Sequence, residues 1–224
     1  MWDSEKKTVL QAARLLAEKG LVVGTSGNVS LRFRETSGRE LVVITPTGRY
    51  YNTLGLDDLV VVDLDGERID GRHAPSEEKL LHIGIYKARQ KLNAVIHSHP
   101  VFSSAVAAAG LDIPPFLDDQ VVYLGGEIKV AAYALPGSLE LAKNAISALG
   151  PRNAVLLANH GALSVGKDMQ EAFAICELME KTARTYIFAL SLGRVNPLPA
   201  EAIEMETAFF QSHHGDAEGK QTPG

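Results

Sequence analysis

Helical and strand-like segments alternate along this 224-residue chain, which predicts an α/β or α+β layered domain on a largely antiparallel sheet. Three observations carry that expectation. Apolar residues recur at helical spacing in several long segments. Short β-branched runs stand between them, and two of these runs, Val29–Phe33 and Leu41–Ile44, read as a hairpin. The length suits one domain with a single sizeable core, taken as residues 1–211, with a polar tail at 212–224 expected to be disordered.

The elements follow in order. Val9, Leu10, Ala13, Leu16 and Ala17 give Ser4–Lys19 an apolar helical stripe, with Gly20 placed to end it. After the hairpin, Leu59–Leu64 reads as a strand closed by an Asp65-Gly66 turn. A helix is expected over Ser76–Lys91, a strand into His97, and a small-residue helix over Val101–Ala109. Val121–Leu124 and Lys129–Ala132 read as short strands, followed by a helix from Gly137-Ser138 to Leu149. A second histidine-ended strand is read over Ala154–His160, closed by Gly161, with Leu163–Val165 continuing it. Asp168 is placed to cap a long helix reaching Leu190, and a last helix spans about Ala200–Gln211.

Composition narrows the function classes. With 46% hydrophobic and 22% charged residues the chain reads as an ordinary soluble protein. A net charge of -5 without a lysine and arginine cluster argues against nucleic acid as a partner. No stretch approaches a membrane span, and the acidic N-terminal segment does not read as a signal peptide. The single cysteine, Cys176, rules out an internal disulfide, suits a cytoplasmic setting, and reads as core filler.

Chemistry concentrates at His97-Ser98-His99. Residues two apart on a strand point the same way, so both imidazoles leave the strand end on one side. Pro100 cannot donate to a ladder and stops the strand there. A further histidine, His160, follows a second apolar strand, and Glu78 lies in the first turn of the helix opened by Pro75-Ser76. The first shell is therefore read as His97, His99 and His160. Glu78 is either the fourth ligand or a base that substrate displaces. Three nitrogens plus one exchangeable position is the pattern of a catalytic metal site. His82, four residues after Glu78, reads as a hydrogen-bonded interior histidine, and His213 and His214 as incidental.

Two hydroxyl- and glycine-rich turns, residues 24–30 and 44–48, could aim backbone N–H groups at an anion. Gly27, Asn28, Thr47 and Gly48 form the candidate cradle, with Ser76 adding a hydroxyl. Neither turn matches a Walker A loop or the GxGxxG fingerprint, which leaves a nucleotide cofactor unsupported.

Taken together, Gly24–Ser30, Ile44–Gly48, Pro75–Glu78, His97–His99 and Asn159–Gly161 resemble the class II aldolase/adducin family in order and spacing. The resemblance implies a three-layer α/β/α sandwich with a mainly antiparallel sheet, assembled as a C4 homotetramer with active sites at subunit interfaces. It implies Zn2+ on His97, His99, His160 and Glu78, with Mn2+ or Co2+ as substitutes, and Glu78 as acid/base. Phosphate would fall to Gly27, Asn28, Thr47, Gly48 and Ser76.

The implied activity is a zinc-dependent lyase. It would cleave or form a C–C bond in a small ketose or hydroxy-ketone, such as L-fuculose 1-phosphate, releasing or accepting an aldehyde through a metal-stabilised enediolate. Two departures stand out. Glu77 replaces a second phosphate-binding serine, and a carboxylate beside a phosphate is repulsive unless it turns away. Asp118, beside Asp119, stands where the aldolase branch carries a proton-donating loop tyrosine; it is a candidate catalytic acid or a solvated turn residue. The same metal site also serves sugar-phosphate epimerase, dehydratase or decarboxylase chemistry. A non-enzymatic module like adducin is expected to lack the metal ligands. Substrate selection is assigned to loops and the C-terminal helix, with Tyr123, Phe209 and Phe210 as candidates or as packing residues.

Overall fold

The protein is described from a computed structural model, over residues 1–214. Eight strands form one sheet in the order β4-β3-β2-β1-β5-β8-β7-β6. They are β1 (Asn28–Arg34), β2 (Glu40–Ile44), β3 (Val60–Asp63), β4 (Arg68–Asp70), β5 (Ala94–Ser98), β6 (Val130–Ala131), β7 (Ala154–Leu157) and β8 (Gly161–Gly166). Every pairing is antiparallel except β6 with β7, so the sheet is mixed but mainly antiparallel.

Six helices complete the described residues: α1 (Asp3–Glu18), α2 (Lys79–Ala88), α3 (Val101–Ala109), α4 (Leu139–Leu149), α5 (Met169–Ser191) and α6 (Ala200–His214). Strand alternation decides which layer each residue meets. Leu41, Val43, Val61, Ala94 and Ile96 pack with α1 and α5. Their neighbours Val42, Ile44, Val60, Val62 and Val95 pack with α2 and α4 on the other face. α3 and the middle of α5 close a third cluster over Leu156 and Ala162. Helices on both faces explain why the strands are apolar on both sides.

Four expectations need correction. The helix expected from Ser76 begins at Lys79 and ends at Ala88, because Ser76–Glu78 form a separate turn in which the Ser76 hydroxyl accepts from the Glu78 N–H. Val121–Leu124 is no strand but part of a π-helical turn, Gln120–Leu124. The buried Gln120 amide donates to the carbonyls of Ile113, Pro114 and Gly126, and this side-chain bonding takes the place of a ladder. Gly161 does not end a strand; it starts β8, and Ala158–His160 is the turn of a β7–β8 hairpin. Finally, α6 runs through Ser212–His214, where His214 pairs with Glu171 at 2.8 Å. The rest of the expected tail, 215–224, lies outside the described residues.

Candidate metal centre

Three strand ends and one helix start meet at a single rim of the sheet. In the ladder His97 lies between Asn28 of β1 and Leu163 of β8. His97 has the parity of Val95 and so points to the α2 face, where Glu78 stands as the residue before the first turn of α2. His99 follows β5 and its N–H donates to the Leu21 carbonyl at 3.0 Å. His160 closes the β7–β8 hairpin; Asn159 before it takes φ 55, a left-handed conformation asparagine tolerates. Gly161 has to lack a side chain, since a Cβ there meets the Ser98 carbonyl oxygen at 2.5 Å and His99 Cδ2 at 2.8 Å.

The three rings pack edge to face with centroids 4.7, 4.7 and 5.1 Å apart. Nε2 of His97 is 2.8 Å from Nε2 of His99 and 3.2 Å from Glu78 Oε2, and Nε2 of His160 is 3.6 Å from Glu78 Oε1. Four ligands around zinc at about 2.0–2.1 Å stand about 3.3 Å from one another, which is close to this spacing. Burial, with His99 and His160 beside it, holds the His97 imidazole well below its usual pKa. His99 is lowered by burial and by His160, against an upward pull from Glu78. Both rings are thus neutral at pH 7, the form that ligates. Glu78 Oε1 is buried without a hydrogen-bond partner, a costly state for a carboxylate unless a cation answers it. The cluster can hold a metal ion.

Glu78 is supported from β1. The Asn28 side-chain amide donates to Glu78 Oε2 at 2.8 Å, while its oxygen faces His82 Nε2. His82 is wholly buried, as an interior histidine should be, and burial beside His97 pushes it down to about 3. Gly27, at φ +75, lies so close to His97 that a Cβ would sit 2.7 Å from the His97 carbonyl oxygen. The Tyr51 hydroxyl, which no motif singles out, donates to the Gly27 carbonyl at 2.6 Å.

The remaining candidates divide. The segments that carry Thr47 and Ser76 are joined through their neighbours: Thr47 N–H donates to Ala74 O at 3.2 Å and Ser76 N–H to Thr45 O at 3.1 Å. Gly48 beside them is exposed, Ser76 and Glu78 are buried, and Glu77 between those two is exposed. Asp118 is exposed and lies beside Glu206 of α6, whose pKa is pushed up by burial and by the neighbouring Asp118 carboxylate, while Asp119 pairs with Lys181 of α5. Neither joins the cluster, which among the described residues comprises His97, His99 and His160. Tyr123 and Phe209 are exposed, whereas Phe210 is buried against Gly125, a packing role. Cys176 is buried beside the Ser98 hydroxyl at 3.3 Å, and burial pushes its thiol up to about 11. No helix among the described residues is long and apolar enough to cross a membrane.

A 5-deoxy-D-ribulose 1-phosphate aldolase of Bacillus thuringiensis serovar kurstaki is 31% identical over 94% of this chain and 97% of its own. An L-ribulose-5-phosphate 4-epimerase of Salmonella paratyphi B is 33% identical over 95% and 96% respectively. The solved structure of an L-fuculose 1-phosphate aldolase superposes with a TM-score of 0.86 at 33% identity, covering 93% of this chain and 96% of that one. Residues 7–187 match the profile of the Class II Aldolase and Adducin N-terminal domain, and the chain belongs to that family.

Proposed function

We propose that this protein is a zinc-dependent aldolase that cleaves or forms a C–C bond in a small ketose 1-phosphate. The observation that carries the reading is Glu78 between His97 and His160, with Oε2 held by Asn28 and Oε1 bare. Three imidazoles and one carboxylate suit zinc, with Mn2+ or Co2+ as substitutes. The ion supplies Lewis-acid polarisation of the ketone carbonyl when bound.

The chain's own groups do the rest. His97, His99 and His160 would hold the ion at the reacting end of the substrate, and Glu78 Oε1 takes and returns the proton at the carbon beside the carbonyl. Phosphate is assigned to the turns of Gly27-Asn28 and Thr47-Gly48 with Ser76. Asn28 enters that assignment through its backbone, since both ends of its side-chain amide are engaged. The exposure of Glu77 lets its carboxylate remain in solvent. Asp118, exposed and not joined to its own chain's histidines, is proposed to take the hydroxyl proton as the aldehyde leaves, and to return it to the aldehyde oxygen in the condensation direction, in the site of an adjoining copy within a C4 homotetramer. The lone buried thiol supports a cytoplasmic setting.

A second reading, epimerisation of a ketose phosphate, is favoured by the likeness to the 4-epimerase and by an aspartate in the tyrosine's place. One experiment separates them. The protein is stripped with a chelator, reloaded with Zn2+, Mn2+ or Co2+, and given L-fuculose 1-phosphate, 5-deoxy-D-ribulose 1-phosphate and L-ribulose 5-phosphate, with products read by NMR. Metal-dependent release of dihydroxyacetone phosphate and an aldehyde is expected. Turnover that survives metal removal rejects the mechanism, and a product that keeps its carbon count selects the epimerase.

A further inference from the structure

Behind Glu78 runs a hydrogen-bond chain whose direction can be worked out atom by atom. Glu78, His82 and Tyr86 are spaced by four on α2 and the turn before it, an advance of about 6 Å per step. Facing them, Asn28 and Ser30 are spaced by two on β1, an advance of about 6.8 Å. The near match in rise lets the two rows interleave: Glu78 Oε2 with Asn28 Nδ2, Asn28 Oδ1 with His82 Nε2, His82 Nδ1 with Ser30 Oγ at 2.6 Å, and Ser30 Oγ with Tyr86 OH at 2.7 Å.

Each link dictates the next. A carboxylate accepts only, so the Asn28 NH2 must face Glu78 and its oxygen must face His82. That oxygen also accepts only, so His82 carries its proton on Nε2. Being wholly buried and neutral, His82 has no second proton, and Nδ1 accepts from the Ser30 hydroxyl. Ser30 then accepts from Tyr86. Asn28, Ser30, His82 and Tyr86 are each 4% exposed or less, so water does not compete for these bonds. A flipped Asn28 would set oxygen against carboxylate and N–H against N–H.

We infer that His82 is a positioning residue: backed by Ser30 and Tyr86, it locks the Asn28 amide so that one N–H holds Glu78 Oε2 and leaves Oε1 turned to the histidines. The inference rests on Glu78 serving the metal centre. A histidine that merely fills space needs no particular tautomer, and any ring of its size would replace it.

The test combines two measurements. Long-range 15N–1H correlation of the imidazoles in the zinc-loaded wild-type protein is expected to place the His82 proton on Nε2. Zinc affinity by competition with a chromophoric chelator is expected to fall about 10–100-fold in His82→Phe, the usual loss when support behind a ligand is removed. His82→Gln, which keeps an amide donor, is expected to recover most of that loss. A proton on Nδ1, wild-type affinity in His82→Phe, or a His82→Gln as weak as His82→Phe overturns the inference. If the wild-type protein binds no zinc, the metal reading itself fails, and the lock is judged on the tautomer in the apoprotein. The tautomer needs no variant, so the test stands if His82→Phe does not fold.

Discussion

His97 donates its Nδ1 proton to the carbonyl oxygen of Ala162 at 3.0 Å, which leaves Nε2 as a lone pair 2.8 Å from Nε2 of His99. The β5–β8 ladder places Ala162 opposite Ser98, so sheet register fixes the tautomer of the histidine next to it. A buried imidazole oriented by a backbone carbonyl is the usual support for a metal-binding histidine. The wild-type protein is therefore expected to keep one zinc ion per chain on dialysis, and His97→Ala and His160→Ala to lose it. Elemental analysis reads the result, and full occupancy in either variant would refute the shared site.

Glu78→Gln separates holding the ion from moving the proton. The amide keeps the size of the carboxylate and an oxygen that can accept from Asn28 Nδ2. It cannot take a proton at neutral pH. Turnover of the ketose phosphate is expected to drop about 10²–10⁴-fold, the range of a lost acid/base group, while His97, His99 and His160 still bind zinc. Unchanged kcat in metal-loaded Glu78→Gln would remove the base from the mechanism.

Gly161→Ala tests whether the hairpin must pass this close to His97 and His99. The added Cβ would sit 2.5 Å from a backbone oxygen of Ser98 and 2.8 Å from His99 Cδ2, and a backbone oxygen cannot swing aside. β8 and β5 must part locally, at a cost of about 1–3 kcal/mol for an overpacked core, and His99 must move. Lower Tm together with weakened zinc binding is expected by calorimetry and chelator competition. Wild-type values for both would show that the contact is not a constraint.

How much of this was legible depends on the kind of signal. His97 and His99 share a face because strand side chains alternate, and the structure brings their Nε2 atoms together as that alternation requires. The α1 stripe and the β1–β2 hairpin followed from apolar spacing and hold to within a residue or so. The Gln120–Leu124 turn was misread because Val121 and Val122 favour strands, whereas its shape is set by where the Gln120 amide finds carbonyls, a tertiary effect. The Gly161 hairpin was misread for a related reason: a glycine after a histidine looks like a stop, and only the crowding by Ser98 and His99 shows why it is a beginning. The Asn28–His82–Ser30–Tyr86 chain leaves its mark as spacings of four facing spacings of two. That mark becomes visible only when α2 is known to lie across β1. Asp118 has no partner among the described histidines, because the segment that carries it is held against α5 through Asp119 and Lys181, a tertiary contact that local spacing does not encode.

Asp58 links stability to pH at the edge of this architecture. Its carboxylate ties the short 3-10 turn Leu56–Asp58 by accepting from the Gly55 N–H at 2.8 Å, and it pairs with Arg72 and with His73 at 2.9 Å. The Gly55 N–H first, then Arg72 and His73, hold its pKa well below the usual carboxylate value, against a smaller opposing effect of burial. An unfolded aspartate titrates near about 3.9. A folded value below that means the contribution is complete above pH of about 3.9 and is lost as pH falls through the lower folded value. The neighbouring turn, Tyr51–Thr53, carries the Tyr51 hydroxyl that holds Gly27. Asp58→Asn is expected to lower Tm by about 2–4 °C at pH 7. The gap should close as the melts are taken below pH of about 3.9, because the unfolded wild-type chain then gains a proton that the folded carboxylate still refuses. A gap that stays constant across that range would show that Asp58 acts through its shape and not its charge.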